Sequence, residues 1–253
     1  MAIRKTEAVI LKVIPYGETS KILTTFTKDH GKITMIAKGA RNIKSKFGGS
    51  LEPFTHLSVV FYEREARDLQ YISDVSIINP FLNIHDHLDR MYAALSMIEI
   101  CNKVIHGNEE NTALFELLTQ TLEGMNSPVK PAVNGFLNFL IQLADLLGFK
   151  MELERCRFCE DIAAHRQLQF NIDKGRIVCE DCPQDMQMFS DQAVVSKETY
   201  AVMRQMARTK GSGLYNIVIS DRARSEIYST AIRHLQYHAD ELKHLNALAY
   251  LKV

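Results

Sequence analysis

Long apolar runs are missing from this chain of 253 residues. Its most hydrophobic stretch, Phe136 to Phe149, is broken by Asn138, Gln142 and Asp145, well short of the roughly 20 apolar residues that cross a bilayer as a helix. The opening residues, Met1-Ala-Ile-Arg-Lys5, place charges where a secretion signal would need an apolar core. This predicts a cytoplasmic protein whose cysteines stay reduced, with no membrane partner. Catalytic signatures are missing as well: there is no Walker phosphate loop, no nucleophile elbow and no dinucleotide-binding glycine fingerprint. A zinc deaminase needs His-x-Glu together with Pro-Cys-x-x-Cys, and the chain has neither. Prolines are few, six in all, and mark boundaries instead of a linker. Together these absences favour binding over turnover and predict no enzyme.

Net charge is zero, but the charges are unevenly placed. Through residue 46 the bases are Arg4, Lys5, Lys12, Lys21, Lys28, Lys32, Lys38, Arg41, Lys44 and Lys46, opposed only by Glu7, Glu18 and Asp29. An N-terminal excess of this kind suits an anionic partner, the bland alternative being a solvated basic surface.

The same region has a period of two. Strands are predicted at Thr6–Val13, Ser20–Thr27, Lys32–Ala37, Leu57–Tyr62 and Leu69–Ser73, with turns such as Lys28-Asp-His-Gly31 between them. Five short strands with almost no helix between them suit a small barrel over residues 1–80, the OB-fold being the commonest of that size and an SH3-like barrel the alternative. The connection Lys38-Gly-Ala-Arg41-Asn-Ile-Lys44-Ser-Lys46-Phe-Gly-Gly-Ser50 mixes cations with glycines that let a phosphate chain come close. Single-strand binding also wants rings on which bases stack. Tyr16 and Phe47, placed in loops, are the candidates; Phe26 follows its strand's alternation and is expected in the core.

After Asn79-Pro80 the period becomes helical. Helices are expected over residues 85–105, 112–125, 131–147, 197–207 and 221–242, with Gly148 as a stop and Ser220 as an N-cap. The organisation predicted is α+β: a barrel at 1–80, a helical domain at 81–150 and 186–253, and a cysteine-bearing insertion at 151–185 between its parts.

That insertion holds Cys156-x-x-Cys159 and Cys179-x-x-Cys182 with 19 residues between the pairs. The spacing suits two knuckles closing on one tetrahedral zinc ion. The spacer reads as a hairpin, Leu168–Ile172 and Arg176–Val178 around the turn Asp173-Lys-Gly175. Four thiolates favour zinc over an iron cluster and leave no open coordination position, so the ion holds structure and does no chemistry. Two disulfides would require an oxidising compartment. The fifth cysteine, Cys101, sits in a helical pattern and reads as a small buried residue.

Two histidine groups invite a metal reading. His85-Asp-His87-Leu-Asp89 could bridge ions in a phosphohydrolase. On one continuous helix, however, His85 and His87 lie about 200° apart, while Asp86 and Asp89 read as first-turn charges. His234, His238 and His244 lack a carboxylate partner at metal-site spacing and read as packed or solvated.

The order of parts resembles the RecO family of bacterial DNA repair proteins. The similarity lies in Tyr16-Gly-Glu-Thr-Ser20, Phe26-Thr-Lys-Asp-His-Gly31-Lys-Ile, Ala37-Lys-Gly-Ala-Arg41 with Lys44-Ser45, Leu51-Glu-Pro-Phe54, the four cysteines and Tyr237-His238. The resemblance implies a non-catalytic recombination mediator. Such a protein binds single- and double-stranded DNA, anneals complementary strands, and works with RecR to let RecA replace single-strand binding protein. It implies DNA contacts at Lys38, Arg41 and Lys44, with Lys21 and Lys46 as additions, and zinc on the four cysteines. It also implies an apolar groove for the acidic tail of single-strand binding protein, and action on the nucleoid during repair. The closing segment from Tyr237 departs from the family's glycine- and serine-containing end. The rival reading is a protein–protein adaptor with a structural zinc and no direct DNA role, and a hydrolase comes third.

Overall fold

A computed structural model describes residues 2–47, 49, 51–64, 67–156, 159, 168–179, 191–209 and 211–251. Its packing divides into two units, the first formed by residues 1–128 with 245–251 and the second by 129–244. Packing therefore groups the first helices with the barrel and does not divide the chain at residue 80.

In the first unit, strands β1 (Ala2–Tyr16), β2 (Ser20–Thr27), β3 (Gly31–Ala37), β4 (His56–Glu63) and β5 (Leu69–Asn79) close into a barrel of order β1-β2-β3-β5-β4. Alternation alone gives a first strand of ordinary length, yet β1 runs for 15 residues. Closure explains the difference. Residues Ala2 to Val9 pair antiparallel with β4, and Ala8 to Tyr16 pair with β2. One strand thus serves two neighbours, its register shifting between Ile10 and Lys12 as the sheet bends. The ring closes through a short parallel pairing of Thr34–Ile36 with Leu69–Tyr71. Inside lie Ile10, Leu23, Met35, Phe47, Leu51, Val59 and Phe61.

Gly31 shows how closely this barrel meets its helices. Its φ is +60°, and a Cβ there would stand 2.5 Å from the Glu109 carbonyl oxygen in the loop before the third helix. Both the dihedral and the space demand glycine. Gly31→Ala should lower stability by about 2 kcal/mol, read as a shifted urea midpoint; a loss below about 0.5 kcal/mol would show that the loop simply moves aside.

Helices α1 (Leu82–His85), α2 (Leu88–Val104) and α3 (Thr112–Met125) follow. The single helix expected from His85 is in fact two elements. His85 ends α1, and His87 is an extended N-cap with φ −130°. Asp86 is the C-cap of α1, so only Asp89 lies in a first turn as expected. Phe81, a fully buried residue in the left-handed region, turns the chain out of β5 and into α1. The segment Leu245–Leu251 also belongs to this unit. Glu99 of α2 accepts hydrogen bonds from the amides of Asn246 (2.9 Å) and Ala247 (2.8 Å), and Tyr92 stacks on Tyr250.

The second unit holds α4 (Ala132–Leu146), strands β6 (Leu168–Asn171), β7 (Arg176–Cys179) and β8 (Gln192–Val195) in a sheet of order β7-β6-β8, α5 (Lys197–Arg208) and α6 (Asp221–His238). Gly148, at φ +86°, ends α4 as expected, and Ser220 caps α6 by accepting from the Ala223 amide. α6 stops before residue 242: Ala239 turns extended and the chain continues as a 3-10 turn that buries Leu242.

Glu226 of α6 binds the start of α5, accepting from the Ser196 amide (2.8 Å), the Thr199 hydroxyl (2.6 Å) and Arg222. Burial alone would raise its pKa, but these donors outweigh it and hold the carboxyl at about 2, below its ordinary 4.5. A depressed carboxylate stabilises above its unfolded pKa and loses that contribution as pH falls towards the folded value. Glu226→Gln should therefore cost stability near neutrality, with the gap to wild type narrowing on acidification below about pH 4.5; a gap independent of pH would refute this account. Among the described residues no helix is long and apolar enough to cross a membrane.

Candidate nucleic-acid interface and metal centre

The loop between β3 and β4 is an exposed run bracketed by buried positions. Ala40, Phe47 and Leu51 insert into the barrel core, and Arg41, Asn42, Ile43, Lys44 and Lys46 between them face solvent. Gly39 takes φ +71° to start the turn. The Arg41 amide donates to the Thr19 carbonyl at 2.8 Å, and its guanidinium reaches the Gly17 carbonyl at 3.2 Å. Asn42 donates back to Gly39 and Ser45 to Asn42. The cations therefore stand on a fastened shelf.

This shelf draws the expected residues to one end of the barrel. Tyr16, 54% exposed, closes β1 beside the Gly17–Thr19 turn that Arg41 grips. Lys38 places its ammonium 4.8 Å from the ring centre of Tyr71 on β5. Lys46 donates to the Ser73 carbonyl, which leaves its charge unpaired by that bond. Lys44 is exposed. Lys21 differs, since it is ion-paired with Glu52 at 2.9 Å and donates to the Leu51 carbonyl. Its charge is already balanced.

The expectation for Phe47 needs correction. The ring is 3% exposed and lies within the barrel core, so it offers no face to a base. A loop crossing the open end of a barrel must plug it, and an aromatic ring supplies more apolar area than any neighbouring residue. Sequence reasoning missed Tyr71 and Ser73, whose contacts with Lys38 and Lys46 run across strands and leave no local signature.

The hairpin expected in the insertion is present. β6 (Leu168–Asn171) pairs with β7 (Arg176–Cys179), Leu168 standing opposite Cys179. The Asn171 side chain accepts from the Lys174 amide at 2.7 Å, and Gly175 turns at φ +64°. A third strand, β8 (Gln192–Val195), pairs with β6. Its four residues were too few to announce it.

The hairpin delivers Cys179 to Cys156 and Cys159, so that the three Sγ atoms lie within 4.8 Å of one another. Cys159 and Cys179 are 3.6 Å apart, far beyond the roughly 2.05 Å of a disulfide and near the ~3.8 Å edge of a tetrahedron with Zn–S bonds of about 2.3 Å. Burial, then the neighbouring sulfurs, push the Cys179 thiol up. A thiol so placed resists ionisation until a cation joins it. The geometry can hold a metal ion; Cys182, the expected fourth ligand, lies outside the described residues.

Of the other histidines, His234 and His238 serve packing, while His85, His87 and His244 are exposed. Each ring nitrogen of buried His234 is 2.7 Å from a backbone carbonyl oxygen, of Ile172 and of Phe149, and His238 stacks on Phe149. Among the described residues, the cysteine cluster is the only group of three His, Cys, Asp or Glu side chains close enough to share an ion.

The chain thus combines a closed β-barrel that bears cations at one end with helices that carry a metal-capable cysteine hairpin. A family model described as recombination protein O N terminal matches residues 1–81, and one described as recombination protein O C terminal matches residues 85–246. The chain belongs to the RecO family. Relatives named DNA repair protein RecO include one from Chlorobium limicola, 32% identical over 83% of this chain and 82% of its own length. One from Salinibacter ruber is 30% identical over 95% and 90%, and one from Chloroherpeton thalassium 27% over 95% and 94%. The family assignment supports a role in DNA repair and recombination.

Proposed function

We propose that this chain is a non-catalytic recombination mediator that grips single- and double-stranded DNA by its phosphates and anneals complementary strands. The observation that carries this reading is the fastened loop that displays Lys38, Arg41, Lys44 and Lys46 together with Tyr16 at one end of the barrel. Cations that contact only the sugar-phosphate chain release counterions and leave base edges free to pair, which gives annealing without sequence preference. The strand order, with β1 shared by two neighbours and β3 parallel to β5, supports reading the barrel as an OB-fold. With RecR, the chain would help RecA displace single-strand binding protein, whose acidic tail would dock on the helical part; the work belongs in the cytoplasm, at the nucleoid. A structural zinc on Cys156, Cys159, Cys179 and Cys182 completes the proposal, the ion bracing the insertion and taking no part in DNA contact.

The test is binding and annealing of oligonucleotides by the full chain, with and without single-strand binding protein. Reversing two charges, Arg41→Glu with Lys44→Glu, should weaken binding by about thirtyfold or more at moderate salt and flatten the slope of log affinity against log salt by roughly 1.5. An unchanged slope would remove this loop from the interface.

A further inference from the structure

The shelf carries one side chain that phosphate contact does not use. Ile43 is 105% exposed and stands between Arg41 and Lys44, themselves exposed. A lone exposed isoleucine on a loose tip would mean little. Here the backbone is tied on both sides, by Arg41 to Thr19, Asn42 to Gly39 and Ser45 to Asn42, and the flanking Ala40 and Phe47 are sunk in the core. The side chain itself is β-branched and stiff. The loop thus holds a rigid apolar tip outward with a cation on either side.

That is the chemistry of a wedge. Apolar side chains of this size enter between stacked bases while adjacent cations hold the flanking phosphates. Along the loop Ile43 is a single apolar residue between exposed Asn42 and Lys44, which suits a gap between two bases better than an apolar groove on a protein. We propose that Ile43 inserts between adjacent bases of a bound strand and opens the stack there, with Tyr16 across the Gly17–Thr19 turn offering its ring to an unstacked base. The proposal deepens the polynucleotide reading of this loop and rests on it. Opening the stack frees Watson–Crick edges for a complementary strand, so Ile43 acts as a positioning residue in annealing.

The experiment is a titration of single-stranded oligonucleotides containing 2-aminopurine, whose fluorescence rises when the base unstacks, with the full chain. Wild type should raise the signal. Ile43→Ala, at a site too exposed to disturb folding, should keep the salt slope and hold affinity within about threefold, because phosphates carry most of the binding. The same variant should lose about half or more of the fluorescence rise and slow annealing in step. Ile43→Leu should restore both. An equal rise in wild type and Ile43→Ala, or no rise in either while binding stays salt-dependent, would overturn the wedge and leave phosphate gripping intact. Normal fluorescence with lost binding of a protein partner would reassign Ile43 to that partner and likewise overturn it. Absence of salt-dependent binding in wild type would defeat the phosphate reading itself, and the wedge with it.

Discussion

Purified protein is expected to carry a single zinc ion, and Cys179→Ser to lose it together with the order of the hairpin. Cys179 is the residue through which β7 enters the cluster. Its sulfur is 3.6 Å from that of Cys159, and its amide donates to Cys156 Sγ at 3.4 Å. Hydroxyl for thiolate removes a soft, charged ligand at a site where burial already opposes ionisation. The strands on either side are four residues each, too short to persist unaided. Amide exchange across β6 and β7 should accelerate by about a hundredfold or more in Cys179→Ser, and equally in wild type after chelation. Barrel amides, and retention on single-stranded DNA, should not change. Protein that purifies without zinc yet shows a protected hairpin would mean that side-chain packing, not a metal, holds the insertion.

The second large effect is expected at Arg90. This residue of α2 is 7% exposed and directs its guanidinium to the carbonyls of Met125, Ser127 and Pro128, where α3 ends. The last carbonyls of a helix lack partners and carry the negative end of its dipole. A single planar cation with five N–H donors answers the Met125 carbonyl and, at once, those of Ser127 and Pro128 just beyond the helix. Arg90→Met keeps much of the apolar stem but strands those oxygens, and should lower stability by about 3 kcal/mol. Arg90→Lys should recover only part of this, because a point charge cannot span the set. Urea melts followed by circular dichroism would measure both; a loss below about 1 kcal/mol in Arg90→Met would mean that water replaces the guanidinium.

The sequence made some of these features legible and hid others, and the division follows the range of the interaction. Alternation located all five strands because a half-buried strand writes its period locally, and alternation around the turn Asp173-Lys-Gly175 located the hairpin for the same reason. The capping role of Ser220 was equally local. What stayed hidden depends on partners far along the chain. The length of β1 is set by pairing to β4, some fifty residues away. Phe47 looked like an exposed loop ring because nothing nearby records that the barrel's end needs a plug. Counting charge gave a strongly basic N-terminus, but Arg4 is paired with Glu63, Lys21 with Glu52, and Lys32 donates to the Asn102 carbonyl. The cations left facing outward are fewer than the count: Lys38, Arg41, Lys44 and Lys46 on the shelf, with Lys5 and Lys12 exposed on β1. Arg90 carried no signal either, since an arginine at that spacing reads as part of a solvated face.

The return of residues 245–251 to the barrel's unit has a practical consequence. A protease that nicks the chain after Pro128 would not release the barrel by itself, because the downstream piece still carries the stretch that Glu99 clasps. Such a nicked molecule should migrate as one species under native conditions and as two only in denaturant. A barrel fragment made by stopping the gene at codon 128 would instead present Glu99 and Tyr92 bare to solvent.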